Sequence, residues 1–177
     1  MTEIDEIAEI DELAEKIEQS VMYETRPDWI NPVEGTITSL FGMRVNPVTQ
    51  QQEFHNGLDI AVMVGTPVLA VRCATVYHAS YSRINGYYMR LRCDEGYHFV
   101  YAHLSEILAN VNDRVSQGDK VALSGNSGRS TGPHLHFGIT QNGQMLDPLR
   151  RVTDLPMSYN ARMEYANRRP GPGAASR

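Results

Sequence analysis

The chain has 177 residues, of which 41% are hydrophobic and 21% are charged. This composition is that of an ordinary globular domain and excludes an intrinsically disordered chain. The net charge of −5 argues against a nucleic-acid-binding protein, which usually carries a clustered basic excess. The longest apolar-rich stretch without charges, residues 60–71, is too short for a membrane-spanning helix.

The first 20 residues carry eight acidic side chains and one basic side chain, which gives this segment a charge of −7. Apolar residues recur there at alternating spacings of three and four, which predicts an amphipathic helix. This apolar stripe consists of Ile7, Ile10, Ala14, Ile17 and Val21. We therefore assign residues 1–26 to an acidic helical extension that packs on the domain or binds a protein partner. The acidic start does not resemble a secretory signal, so export by that route is not expected.

From Gly35 onward the pattern changes from helix to strand, because apolar and polar residues alternate and turn residues separate the runs. Strands are predicted at about 36–41, 66–81, 87–93, 97–104, 119–124 and 134–140. A short helical turn is predicted at residues 104–110. The pattern indicates a mainly antiparallel β domain over residues 27–155, followed by a basic, flexible tail over residues 156–177.

Two cysteines are too few for a disulfide scaffold, and we expect both to be unpaired, buried, small apolar side chains. The distance between them depends on the turn that joins two predicted strands. A two-residue turn at residues 85–86 would place Cys73 opposite His98. A loop over residues 82–86 would place Cys73 opposite Glu95 and diagonal to Cys93, near the separation of about 5.5–6 Å that a disulfide favours.

Two histidines are predicted to share one face of a strand. In the segment PHLHFGI, His134 and His136 point to the same side, because alternate residues of a strand lie on the same face. Two neighbouring imidazoles suit a metal site, or one metal ligand beside one proton carrier. The alternative is that they are two polar residues on a half-exposed strand.

The segment HNGLDIA places His55 and Asp59 four residues apart. Gly57 and the strand-like residues that follow argue against a helix, so we expect a loop that enters a strand. Both side chains could then converge on one ion, and imidazole nitrogen and carboxylate oxygen are normal zinc donors at about 2.0–2.2 Å. The alternative is a turn aspartate beside a surface histidine.

A third histidine ends a row of aromatic residues in the segment YHFVYAHLS. Strand alternation predicts that four side chains share one face, namely Tyr97, Phe99, Tyr101 and His103. His103 is then either a core histidine with a hydrogen bond or a proton carrier in a cleft. His78 and His98 have no such companions and are predicted to be surface residues.

The order of these motifs resembles that of the lysostaphin/LytM-type zinc endopeptidases, which are bacterial peptidoglycan hydrolases. HNGLD, YAHL and SGNSGRSTGPHLHF follow one another between residues 35 and 148, with SLFGMRVNP before them and LDP after them. The resemblance implies an antiparallel β-sheet domain of the lysostaphin type and zinc-dependent hydrolysis of the peptide cross-links of peptidoglycan. It further implies that His55, Asp59 and His136 bind Zn²⁺, and that His103 and His134 are catalytic histidines that do not bind the metal.

Two other interpretations remain open. A catalytically inactive scaffold that activates other cell-wall hydrolases would keep the fold, although such relatives usually lose metal ligands and this chain retains all of them. The segment VSQGDKVALSG resembles the turn of biotinyl or lipoyl carrier domains, but Lys120 lies inside a predicted strand and this reading explains no histidine. Without a secretory signal, a peptidoglycan hydrolase would fit a phage lysis enzyme, a virion-associated enzyme, a secretion-system cargo or an excerpt of a longer protein.

Overall fold

The computed structural model describes residues 29–46, 50–151 and 155–168. The predicted acidic extension over residues 1–26 and the last residues of the predicted tail lie outside this part of the chain. No helix in the described ranges is both long enough and apolar enough to cross a membrane.

Within these ranges the chain forms thirteen strands, one short 3-10 helix and one α-helix. In chain order they are β1 Thr36–Ser39, β2 Gly42–Val45, β3 Gln52–His55, β4 Leu58–Ala61, β5 Pro67–Leu69, β6 Ala74–Ser82, β7 Gly86–Arg92, β8 Tyr97–Leu104, β9 Glu106–Ile107, β10 Arg114–Val115, β11 Lys120–Leu123, β12 His134–Gln141, β13 Gln144–Leu146, the 3-10 helix Pro148–Arg150 and α1 Tyr159–Arg168. The strands pair antiparallel, which confirms the predicted fold class.

The largest sheet has eight strands in the order β1-β4-β12-β8-β7-β6-β10, with β13 paired to β12. One face of this sheet is buried, because apolar residues alternate along its central strands and pack together. Fully buried members include Ile60, Met89, Leu91, Phe99, Tyr101, Leu135 and Phe137. The three-stranded sheet β5-β11-β9 contributes Val68 and Val121 to the same core. Strands β4, β12 and β8 are therefore neighbours inside this sheet.

The hairpin of β2 and β3 forms a separate two-stranded sheet. Only two residues separate its last residue, His55, from β4, which belongs to the large sheet. Residues 56 and 57 thus form a sharp corner between the two sheets. The predicted loop in HNGLD is this corner, and it joins a short strand to a central one.

The connection between β6 and β7 has three residues, since Ser82 pairs with Gly86 and Tyr81 pairs with Tyr87. The pairing of Cys73 with His98, which a two-residue turn would give, is therefore wrong. Both cysteines are unpaired, as expected. Cys93 is half-buried, but Cys73 is exposed, so its predicted burial is incorrect.

The helical turn predicted at residues 104–110 is also wrong. Residues Glu106–Ile107 form β9, which pairs with β11. Leu108 and Ala109 then donate backbone hydrogen bonds to the carbonyl of Val121. Contacts with a distant strand therefore override the local helical preference of this segment.

Part of the tail predicted from residue 156 forms a helix, Tyr159–Arg168. Met157 forms a parallel bridge with Ile37, and α1 follows directly. Arg168 ends the helix and donates hydrogen bonds to the carbonyls of Phe41 and Met43 in the β2 region. The apolar pattern does not reveal this helix, because Ala161 is its only buried residue in the described chain.

Candidate metal centre and active site

Three side chains from both sheets meet at the corner between them. Asp59 in β4 pairs directly with His136 in β12, and His55 at the end of β3 approaches both. His55 Nε2 lies 3.1 Å from Asp59 Oδ1 and 3.1 Å from His136 Nδ1, and these last two atoms are 2.9 Å apart. Among the described residues these three are the group of histidine, cysteine and acidic side chains that could hold a metal ion.

The donor atoms of this group suit a metal ion with nitrogen and oxygen ligands. His55 donates from Nδ1 to the carbonyl of Leu40 at 2.8 Å, which leaves the lone pair of Nε2 directed at the other two ligand atoms. Two imidazole nitrogens and one carboxylate oxygen form a usual ligand set for catalytic zinc, in which three protein ligands leave one position open. The residues present therefore fit the zinc that the resemblance implies.

The protonation states also suit metal binding. Burial raises the pKa of Asp59, but the imidazole rings of His136 and His55 beside Oδ1 outweigh it and hold this pKa well below its usual value. Burial lowers the pKa of His136. At neutral pH the carboxyl is thus anionic and the imidazole neutral, which are the forms that bind a metal.

The other two predicted site residues lie beside this group with their tautomers fixed. His134 donates from Nδ1 to the carbonyl of Gly132 at 2.7 Å, and its Nε2 lies 3.8 Å from Asp59 Oδ1. His103 donates from Nδ1 to the carbonyl of Ser127 at 2.8 Å. The rings of His103 and His134 are 4.7 Å apart. Each histidine therefore keeps Nε2 available to exchange a proton with a bound molecule.

The face on which His103 lies differs from the prediction. Between the pairs Tyr87–Leu104 and Met89–Tyr101, β8 has two residues where β7 has one, so β8 contains a β-bulge. His103 occupies the bulge with a φ of 61°. The extra residue turns its side chain away from the core face of Tyr101 and toward His134. The predicted shared face with Tyr97, Phe99 and Tyr101 is therefore wrong.

Two distant segments hold this bulge in place. The backbone N–H of His103 donates to the carbonyl of Asn85 in the β6–β7 turn at 2.8 Å. Ser127 Oγ, in the glycine-rich loop, donates to the carbonyl of Leu104 at 2.6 Å and accepts from the backbone N–H of Tyr87 at 3.0 Å. These contacts stabilise a left-handed backbone that a histidine adopts only at a cost.

His103 is a neutral imidazole at physiological pH. Burial lowers its pKa to about 4, although the hydrogen bond to the carbonyl of Ser127 acts in the opposite direction. A neutral ring with a free nitrogen can accept a proton at neutral pH.

All five predicted site residues line one cavity of about 280 Å³. A second cavity of about 650 Å³ shares Asp59 and His134 with it and extends to Asn160 and Glu164 of α1. His78 and His98 lie outside both cavities and contact the hydroxyls of Tyr88 and Tyr77, respectively. The structure thus brings together the five predicted residues and excludes the two predicted surface histidines.

Sequence reasoning gave no role to Arg44, although the motif SLFGMRVNP contains it. Arg44 Nη1 donates to Asp59 Oδ2 at 3.0 Å, and Nε and Nη2 donate to Glu53 Oε1 at 3.2 and 3.1 Å. In the sequence, the only sign of these contacts is that Arg44 and Glu53 are oppositely charged residues on facing positions of a short hairpin. That pattern does not identify Asp59 as a further partner of Arg44.

Residues 53–148 match the family model of Peptidase family M23. The chain belongs to this family. Among similar proteins, peptidoglycan DD-endopeptidase ShyC of Vibrio cholerae is 38% identical over 117 residues, which cover 66% of this chain and 27% of that protein. An uncharacterized metalloprotease of Haemophilus influenzae is 43% identical over 107 residues, which cover 60% of this chain and 22% of that protein. The chain thus spans about a quarter of the length of these relatives.

Solved structures give the same assignment. A zinc containing peptidase from Vibrio cholerae superposes with a TM-score of 0.62 at 32% identity, covering 74% of this chain and 41% of that chain. The catalytic domain of lysostaphin from Staphylococcus simulans superposes with a TM-score of 0.60 at 29% identity, covering 65% of this chain and 90% of that one. The M23 peptidase domain therefore has the lysostaphin-type fold that the motifs predict.

Proposed function

We propose that this M23 domain is a zinc-dependent endopeptidase that hydrolyses the peptide cross-links of bacterial peptidoglycan. The observation that carries the proposal is the convergence of His55, Asp59 and His136 on one point, with two further histidines lining the same cavity. Relatives named as peptidoglycan DD-endopeptidases support the substrate class, and the zinc containing peptidase from Vibrio cholerae supports the metal.

His55 Nε2, Asp59 Oδ1 and His136 Nδ1 are the atoms that would hold the ion. When bound in such a site, zinc lowers the pKa of a coordinated water to about 7 and polarises a carbonyl group of the substrate. The hydrogen bond from His55 to Leu40 fixes the imidazole ring for this purpose, because it restricts both the tautomer and the rotation of the ring.

His103 and His134 would carry the proton transfers of peptide hydrolysis. The neutral imidazole of one accepts a proton from the attacking water at Nε2. The other, once protonated at Nε2 by solvent, donates a hydrogen bond to the carbonyl oxygen or that proton to the leaving amine. Both rings already have Nδ1 bonded to a backbone carbonyl, so Nε2 is the atom that takes part.

The shape of the site suits an extended peptide. The cavity around the histidines continues into the larger cavity beside α1, so a peptide could cross the site with residues on both sides of the cleaved bond. An inactive scaffold is the alternative function. The presence of three metal-ligand candidates and two properly oriented histidines favours the active form.

The proposal is tested by digesting purified peptidoglycan of defined cross-link types with the native chain. We expect mass spectrometry to identify new amino termini in the digest. A chelated sample should produce none of them, and addition of Zn²⁺ should restore their formation. A chain that binds one Zn²⁺ but releases no peptide from any cross-link type would contradict the enzyme and support the scaffold. The identity of the new termini would define the bond that is cleaved.

A further inference from the structure

Arg44 connects the two sheets that supply the candidate metal ligands. It lies in β2, opposite Glu53 of β3, whereas Asp59 lies in the large sheet. Its guanidinium donates to Glu53 from Nε and Nη2, and to Asp59 Oδ2 from Nη1. Nη1 also contacts the hydroxyl of Ser39 in β1. One side chain thus spans the junction between the hairpin and the large sheet.

Because of this contact, the two carboxylate oxygens of Asp59 have different partners. Oδ1 faces His55 Nε2 and His136 Nδ1, at 3.1 and 2.9 Å. Oδ2 is 3.0 Å from Arg44. A carboxylate whose second oxygen is bonded to a guanidinium is held in one rotation about its Cβ–Cγ bond, with Oδ1 directed at the metal position.

Glu53 holds Arg44 in this position. Its Oε1 accepts two hydrogen bonds from the guanidinium, and its Oε2 accepts a bond from Asn46 Nδ2 at 2.6 Å. Arg44 and Glu53 also neutralise each other, so the pair orients Asp59 without adding net charge to the site. The side chains of Arg44 and Glu53 are only 18% and 28% exposed, so solvent and salt screen the attraction between their charges less than at a fully exposed site.

We propose that Arg44 is a positioning residue that fixes Asp59 as a ligand through one oxygen and joins the hairpin carrying His55 to the large sheet. All three of its nitrogens are bonded to carboxylates and Nη1 also meets Ser39, so the contacts of the guanidinium hold Asp59 in place. Arg44 lies in the motif SLFGMRVNP, ahead of residues 53–148 that match the family model. The inference rests on the proposed metal site and adds a residue to it.

The test measures metal binding without substrate. Arg44→Ala is expected to weaken the affinity for Zn²⁺, measured by chelator competition, by about 10–100-fold, the usual effect of removing a group that orients a ligand. Arg44→Lys is expected to recover only part of this loss, because one ammonium group cannot bridge two carboxylates as the planar guanidinium does. The Co²⁺-substituted Arg44→Ala protein is expected to absorb more weakly in the visible range, since a released Oδ2 can raise the coordination number.

The matched control is Arg72→Ala, which removes an arginine that also bonds a carboxylate through two nitrogens, that of Glu95. Glu95 precedes β8, at the opposite end of that strand from His103. We expect this variant to keep the native Zn²⁺ affinity and Co²⁺ spectrum. If Arg44→Ala and Arg44→Lys both matched the native protein within twofold, with unchanged Co²⁺ spectra, Arg44 would have no positioning role. A native chain that bound no Zn²⁺ would instead overturn the proposed function.

Discussion

Gly57 lies directly against the imidazole ring of His136. A Cβ atom at this position would come within 2.6 Å of Cε1 of His136 and within 2.6 Å of the carbonyl oxygen of Phe137. One neighbour is a candidate metal ligand and the other is backbone of a central strand, so neither can move freely. The corner between the two sheets thus requires a residue without a side chain.

We therefore expect Gly57→Ala to displace His136, to reduce bound Zn²⁺ well below one per chain and to lower stability by about 1–3 kcal/mol, the usual cost of overpacking. Metal analysis and thermal denaturation measure both effects. Gly132→Ala is the control, because no atom lies within 4 Å of the added methyl group. Equal zinc contents in the two variants would show that the ring does not depend on this contact.

Replacing individual site residues should separate metal ligands from proton carriers. His55→Ala, Asp59→Ala and His136→Ala each remove one of three donors, so bound Zn²⁺ and activity should fall together. His103→Ala and His134→Ala should keep about one Zn²⁺ per chain, while activity falls by about 10²–10⁴-fold, as for loss of a general acid or base. Loss of metal from His134→Ala with retention in His136→Ala would mean that these two roles are exchanged.

The bulge that carries His103 depends on the glycine-rich loop. A Cβ at Gly86, which has a φ of 63°, would overlap Ser127. We expect Gly86→Ala to move Ser127 away from His103 and to lower activity at least tenfold while Zn²⁺ remains bound. Ser127→Ala, which keeps the carbonyl bonded to His103, should have a smaller effect. The prediction fails if Gly86→Ala retains native activity and its crystal structure shows Ser127 in place.

The buried His103 makes the stability of the metal-free protein depend on pH. In the unfolded chain its pKa is about 6.5, whereas in the folded protein burial lowers the pKa to about 4. Between these values the unfolded state binds the additional proton, so the free energy of unfolding decreases as the pH falls from 6.5 to 4. In chelated samples, urea titrations of His103→Gln should show a shallower decrease, by at most about 1.4 kcal/mol per pH unit. An unchanged slope would contradict the assigned pKa.

The central strands could be predicted because their pattern is local. Alternation in β7 and in the first half of β12 reflects one buried and one more open face, and in β12 it correctly places His134 and His136 side by side. The motif HNGLD predicts convergence of His55 and Asp59, since a short corner leaves few other arrangements. These features depend on residues close together in the sequence.

The remaining features depend on distant contacts. Asn85 and Ser127 support the bulge at His103, and no local sequence pattern around either residue predicts these contacts. Arg44 meets Asp59 only after two sheets have come together. The helix α1 buries Ala161 alone, so no apolar stripe identifies it. Tertiary packing therefore determines the parts of the site that periodicity does not.

The position of the candidate ligands at a junction between sheets would link metal binding to local opening of the hairpin. His55 belongs to β3, whereas Asp59 and His136 belong to the large sheet, so separation of the hairpin would separate the candidate ligands. A ligand present at 100 times its dissociation constant disfavours such opening by about 2.7 kcal/mol, or roughly 100-fold. For amides of β2 and β3 that exchange through this opening, hydrogen exchange should therefore slow on addition of Zn²⁺. The exchange rate of the hairpin would then measure how much of the site is occupied by metal.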